Sequence, residues 1–272
     1  MKKILNKLIP PLIYDFLLTT LSSILSILYI LKGALFKKIK IKKRNNKVVI
    51  LGTGPSINTI DFKKILKQND FDFYSLSNFY LHKDIKKINP VAHFIAGLDN
   101  SVSKNDFNEW IENINKKLPK DTAIVTDIKN KKIIKNKFNT RNVFYIKTIK
   151  RNSFFNINIK LMVPKPQSIP LLALPFAIGM KYEEIYMAGC DHNILKYFGK
   201  DIKNFYTKEK EIRKNLTSKS YWNEKNIIDE LESNINLFKQ YEQYKKYSVR
   251  KKLNIYNLSK DSWLKYFPYK KI

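Results

Sequence analysis

Seven short apolar runs punctuate the chain: Val48–Leu51, Phe71–Leu76, Val91–Leu98, Ala123–Thr126, Val143–Ile146, Glu184–Ala188 and Leu253–Asn257. Their β-branched and aromatic content predicts strands buried on both faces. Between them, apolar residues at helical spacing predict helices near Asp61–Leu66, Lys104–Ile114, Ile169–Ile178 and Ile227–Tyr247. In the last of these, Ile227, Ile228, Leu231, Ile235 and Leu237 read mostly as a core-facing stripe without chemistry. Strand alternating with helix predicts an α/β fold, a Rossmann-like, mainly parallel sheet with helices on both faces.

The first 46 residues break this pattern. Phe16 to Leu31 carry no charge, and Lys37, Lys38, Lys40, Lys42, Lys43 and Arg44 follow closely. The apolar stretch is shorter than the ~20 residues of a full span. Basic residues beside an apolar helix favour an anionic, cytoplasmic leaflet. Residues 1–46 are therefore expected to form a membrane-associating helix, interfacial or a short span, and 47–272 the folded domain. A helix hairpin buried in that domain is the alternative.

Composition sharpens the picture in two places. The net charge of +29 calls for anionic partners, but Lys, Asn and Ile are abundant throughout and Arg is scarce. No nucleic-acid-binding motif is present, so nucleic acid is not an expected partner. The single cysteine, Cys190, excludes an internal disulfide and forms no zinc-type cluster.

In open parallel sheets ligands bind beyond the carboxyl ends of the strands. Here those ends read Gly52-Thr53-Gly54-Pro55-Ser56, Ser77-Asn78, Asp99-Asn100 and Gly189-Cys190-Asp191-His192. A strand, a glycine turn and a helix start present N–H groups to an anion such as phosphate, although an ordinary βα turn fits as well. The third glycine of a dinucleotide fingerprint and the Lys of a P-loop are both missing. His192 and its neighbour Asp191 are the candidates for acid–base work, since imidazole titrates near neutrality. His93, inside an apolar run, reads as a core residue, and His82 as either crevice-facing or solvated. Asp70-Phe71-Asp72 opens a strand rather than closing one, so no acidic metal pair is evident and no metal is expected. The Tyr- and Lys-rich segment about 196–224 reads as a lid, with Tyr197, Tyr206 and Tyr221 able to hydrogen-bond a leaving phosphate. Asn257 and Ser259 close the last strand and either join the rim or cap a terminal helix.

These residues resemble a known group. Gly52-Thr53-Gly54-Pro55-Ser56, Ile60-Asp61-Phe62, Phe71-Asp72-Phe73 and Asn78-Phe79-Tyr80 look like the first half of the bacterial sialyltransferases of glycosyltransferase family 42. Ala177-Ile178-Gly179 and Glu184 through Asp191 are similar to the same family's later helix and strand. The resemblance covers roughly 47–100 and 167–198, and extends to MptE-like proteins of surface-polysaccharide clusters.

It implies a GT-A-like variant of the Rossmann-like fold that takes a CMP-sugar donor and a glycolipid or oligosaccharide acceptor. The enzyme would work without a metal or other cofactor, on the cytoplasmic side of the bacterial inner membrane, in lipopolysaccharide or capsule synthesis. It places cytidine over Gly52, Thr53, Gly54, Pro55 and Ser56 and the ends Ser77, Asn78, Asp99 and Asn100. It places the leaving phosphate at Tyr197. The family's catalytic histidine falls near Trp222-Asn223-Glu224, where no histidine stands; its role passes to His192 or Glu224. Thr53 replaces the family's Asn, Asn193 its second Tyr, and the apolar segment is N-terminal rather than C-terminal. The alternatives are a pterin diphosphokinase-type phosphotransferase and a non-catalytic glycan-assembly protein. Self-association into a homo-oligomer is left open.

Overall fold

The computed structural model describes residues 41–95, 103–149 without Lys135 and Asn139, 162–211 and 226–272. It also describes Ile13, Leu17, Thr20, Leu21, Ile24, Leu28 and Trp222. The strands are β1 (Lys47–Leu51), β2 (Phe71–Leu76), β3 (Ala92–Ile95), β4 (Ala123–Asp127), β5 (Val143–Ile146), β8 (Glu184–Ala188) and β9 (Asn254–Asn257). They form one sheet in the order β5-β4-β3-β2-β1-β8-β9, and each neighbouring pair is parallel. A separate two-stranded parallel pair, β6 (Thr148–Ile149) and β7 (Val163–Pro164), stands apart from it. The chain winds outward from β1 to β5, then returns to the other side of β1 for β8 and β9. The point of reversal therefore lies between β1 and β8.

Two cores cover the two faces of the sheet. On one, α5 (Pro170–Gly179) and α6 (Ile227–Arg250) bring Leu171, Leu174, Phe176, Tyr241 and Tyr244 against Val48, Ile50, Tyr74 and Met187. On the other, α1 (Phe62–Gln68), α2 (Ile85–Ile88) and α3 (Lys104–Lys117) bring Phe62, Ile88, Trp110 and Ile114 against Val49, Leu51 and Phe73. A last short helix, α4 (Lys131–Ile134), follows β4. Because β1 is sandwiched between both layers, Val48 to Leu51 are wholly inaccessible. Each such side chain contributes about 1.5–3 kcal/mol on burial.

The inward face of α6 differs from the apolar stripe expected from its spacing. Ile227, Ile228, Leu231 and Ile235 are exposed, and the buried hydrophobic positions are Leu237, Tyr241, Tyr244 and Tyr247, beside the buried polar residues Glu230, Asn234 and Ser248. Tyrosines three residues apart carry the packing, because each offers a large ring together with a polar end. The expected anchor lies outside the described residues apart from residues 41–46 and six helical positions, of which Ile13, Leu17, Leu21, Ile24 and Leu28 are exposed. Among the described residues no helix is long and apolar enough to cross a membrane.

The amino ends of the strands are tied by a buried carboxylate. Asp72 accepts from Arg44 N at 2.9 Å and from the Tyr182 hydroxyl at 2.6 Å. This occupies the Asp70-Phe71-Asp72 motif structurally, with Asp70 paired to Lys47. His93 sits wholly buried in β3 with Nδ1 at 2.8 Å from Ser75 Oγ. Burial, with the Arg141 charge as a lesser cause, pushes its imidazole down to about 3. Its unfolded value is ~6.5. Between those values the unfolded chain holds a proton that the folded chain lacks, so stability falls as pH falls through that window. The unfolding free energy from urea titrations should drop by a few kcal/mol between about pH 6.5 and 3, and less steeply in His93→Gln.

Candidate active site

The reversal between β1 and β8 places two turns side by side. Gly52 N donates to Ala188 O at 2.8 Å, and Gly54 N donates to Gly189 O at 2.9 Å. The backbones approach so closely that a Cβ on Gly52 would lie 2.4 Å from Gly189 O. One on Gly54 would lie 2.4 Å from Asp191 Oδ2. Gly54 has ordinary extended angles, so space and not φ is what demands glycine there. Gly189 needs both, with φ at +65° and Ile57 against the position of its absent Cβ.

Asp191 secures the contact. Its carboxylate accepts from Ser56 N at 3.0 Å and from the Ser56 hydroxyl, at the start of a short 3-10 turn (Pro55–Thr59). Ser259 Oγ lies 2.6 Å from Ser56 Oγ, and the Asp191 carbonyl accepts from Trp263 N at 2.9 Å. Asp191 is buried, and these bonds make it a positioning group between three chain segments rather than an acid facing the crevice alone.

Above the turns the described residues enclose a cleft of about 210 Å³. Gly52, Thr53, Gly54 and Pro55 form one wall, and Gly189, Cys190, Asp191, His192 and Asn193 form another. Tyr197, Ile202, Lys203 and Asn204, from the segment expected to form a lid, also line it. His192 is half-buried with φ at +49° and places Nε2 at 2.7 Å from the Tyr241 hydroxyl. Burial pushes the imidazole down to about 4 and the Tyr241 phenol well above its ordinary value. Both groups are therefore neutral at pH 7. Tyr241 keeps its proton and holds the ring in place, while the neutral imidazole retains a lone pair.

The other candidate residues fall in different places. Asn78 is buried and does not line the cleft: Oδ1 accepts from Trp110 Nε1 at 2.6 Å, and Nδ2 donates to Glu211 Oε2 at 2.9 Å and to Tyr206 OH at 3.0 Å. Ser77 is buried beside it in a left-handed conformation, φ +50°, and does not line the cleft either. Tyr206 donates to Glu211 at 2.5 Å, which commits it to the same cluster. His82 packs among Phe62, Phe79 and Phe205, away from the cleft. Asp99, Asn100, Tyr221 and Glu224 lie outside the described residues. Asn257 is buried and bonds to Ser259 N and Leu264 O. Among the described residues no group of three or more His, Cys, Asp or Glu is arranged to hold a metal ion.

Two features were missed by sequence reasoning. Tyr241 partners His192 from a distant helix; its i, i+3 repeat with Tyr244 and Tyr247 was the available signal of an inward face. The Asn78–Glu211–Trp110 cluster anchors the lid base, and no local pattern announces a contact across such separations. The lid is also tied to the glycine turn, since Phe205 N donates to Thr53 O at 3.1 Å.

No family model matches the chain, and no curated protein matches it. Several solved structures share its outline. The likeness is to a sialyltransferase. CST-II in complex with a trisaccharide acceptor and CMP is 17% identical with a TM-score of 0.45, over 82% of this chain and 85% of that one. The same figures hold for CstII from Campylobacter jejuni in complex with the substrate analogue CMP-3FNeuAc. A point variant bound to CMP reaches 18% identity and a TM-score of 0.48 over the same shares of the two chains. Identity and TM-score this low carry no activity over to this chain.

The close contact of the two turns has a direct test. Gly54→Ala should lower stability by about 1–3 kcal/mol in urea unfolding, since the added methyl meets backbone and carboxylate atoms. Thr53→Ala, which keeps the backbone tie to the lid, should stay within about 0.5 kcal/mol of the parent.

Proposed function

We propose that the chain is a metal-independent glycosyltransferase that uses a CMP-activated, sialic-acid-like sugar in bacterial surface-glycan synthesis. The observation that carries this is the paired turn at the sheet's reversal point. A glycine turn, a neutral half-buried histidine and Tyr197 all border one cleft. The motif resemblance at Gly52–Ser56 and Glu184–Asp191 supports the choice of CMP-sugar.

In this reading the nucleotide lies against Gly52–Pro55, and Tyr197 faces the departing phosphate. The acceptor hydroxyl attacks the anomeric carbon, the bond from that carbon to the phosphate oxygen breaks, and CMP leaves with the electron pair. The hydroxyl proton passes to His192. With Nε2–H donating to Tyr241, the Nδ1 lone pair receives it. The negative phosphate nearby favours the imidazolium that forms.

A thermal-shift panel of CMP, CDP, UDP, GDP and ATP, with and without Mg²⁺, tests the donor. CMP alone at about a hundredfold its Kd should raise the midpoint by roughly 5–10 °C. A shift only with a metal-bound triphosphate would favour the phosphotransferase instead. His192→Ala should keep the CMP shift and lower the rate of CMP release in the presence of acceptor by about 10²–10⁴-fold. Full activity without His192 would remove it from the chemistry.

We also place residues 1–46 at the cytoplasmic face of the inner membrane. The exposed apolar positions Ile13, Leu17, Leu21, Ile24 and Leu28 recur every three or four residues, and the basic run follows them. An in-plane helix anchored by lysines suits anionic lipid. Flotation should recover the chain with phosphatidylglycerol vesicles and lose it with Leu17→Asp/Leu21→Asp; equal flotation of that variant would refute the placement.

A further inference from the structure

The outward side of α6 carries a second apolar row. Ile228, Leu231, Ile235 and Phe238 recur at intervals of three, four and three residues, which is heptad spacing and sets them in one line along the helix. Ile228 is 61% exposed, Ile235 53%, and Phe238 is half-buried. Leu237, Tyr241 and Tyr244 hold the other side of the helix to the core, so the row is not needed for packing within the domain. At its carboxyl end Phe238 also lines an open hollow of about 510 Å³, together with Trp263, Tyr266 and Lys265. Continuous exposed apolar strips of this kind mark contact surfaces.

We propose that this face pairs with the same face of a second copy of the chain, the two α6 helices running antiparallel across a twofold axis. A twofold contact requires a surface that complements itself. Shape is the first argument. The row begins at the protruding Ile227 and Ile228 and ends at the aromatic hollow beside Phe238. Reversing one copy sets the partner's Ile228 over that hollow, and symmetry does the same at the other end. Charge is the second argument. The amino end of the row is acidic, with Asp229 and Glu232 exposed, and the carboxyl end is basic, with Lys239 and Lys265 exposed. Glu232 and Lys239 are seven residues apart and so lie on the same flank of the helix. An antiparallel copy therefore lays acidic end on basic end twice, whereas a parallel copy would set like charge beside like.

The apolar row supplies the affinity and the flanking charges the orientation, because exposed ion pairs contribute little energy of their own. Farther along the helix, Glu242 and Lys246 neutralise each other, with Nζ at 2.6 Å from Oε1. An anionic bilayer is the poorer occupant, since it would meet Asp229 and Glu232 at one end of the row. None of the residues of the row or the hollow lines the cleft, so the pairing stands independently of the transferase reading.

Sedimentation velocity on the full chain in a non-ionic detergent tests the assignment. A concentration-dependent monomer–dimer equilibrium with a Kd of about 1–10 µM is expected. Ile228→Asp/Ile235→Asp should weaken it at least about a hundredfold, with circular dichroism confirming the fold. Lys239→Glu should weaken it about tenfold, and Glu232→Lys/Lys239→Glu should restore it, since the double swap re-creates the pairing with its ends exchanged. These last two changes lie on an exposed flank and read the same contact without disturbing the core. A monomer at every concentration overturns the proposal, as does a dimer that persists unchanged in Ile228→Asp/Ile235→Asp, which would move self-association to residues 1–46 or elsewhere. A double swap that fails to restore the dimer overturns the antiparallel arrangement. A monomeric parent that floats with phosphatidylglycerol vesicles, and loses flotation in Ile228→Asp/Ile235→Asp, would assign the row to the bilayer instead.

Discussion

Two backbone segments in contact without side chains between them set the geometry of this protein. Gly52 and Gly54 meet Gly189 across the reversal of the sheet, and two short N–H···O bonds close the gap. Everything at the site is registered against that seam. The cleft sits on one side of it, with Asp191 bracing the seam through Ser56. Few glycines are available in this chain, seven in all, and three of them are spent on one contact.

Buried carboxylates do structural work in a chain of net charge +29. Asp72 gathers donors at the amino ends of the strands, Asp191 joins the two central turns, and Glu211 receives the lid base from Asn78 and Tyr206. Each is surrounded by hydrogen-bond donors, which is the condition under which a buried charge is tolerated. The excess lysine is left to the surface, where it faces solvent and whatever anionic surface the chain meets.

Most of the sheet was legible before any coordinates. Phe71–Leu76, Val143–Ile146 and Glu184–Ala188 begin and end where their runs do, although β2 buries Asp72 and Ser75 within its run and the edge strand β5 alternates buried with half-buried positions. Of the stripe expected on α6 only Leu237 faces inward; Ile227, Ile228, Leu231 and Ile235 face solvent, and the packing surface takes the rings of Tyr241, Tyr244 and Tyr247 instead. At the site, the strand-end residues Gly52, Gly54, Pro55 and His192 border one cleft together with Tyr197. Asn78 does not, although it also ends a strand. What decided its fate was Glu211 and Trp110, which are distant in sequence and reach it only through the tertiary fold.

Thr53 holds the lid by its carbonyl and not by its side chain, since Phe205 N is the donor. Any residue at that position offers the same carbonyl. Its side chain is thus uncoupled from the architecture and answers only to what occupies the cleft. Divergence at this site is therefore cheap for folding, whatever it does to the cleft that Thr53 lines.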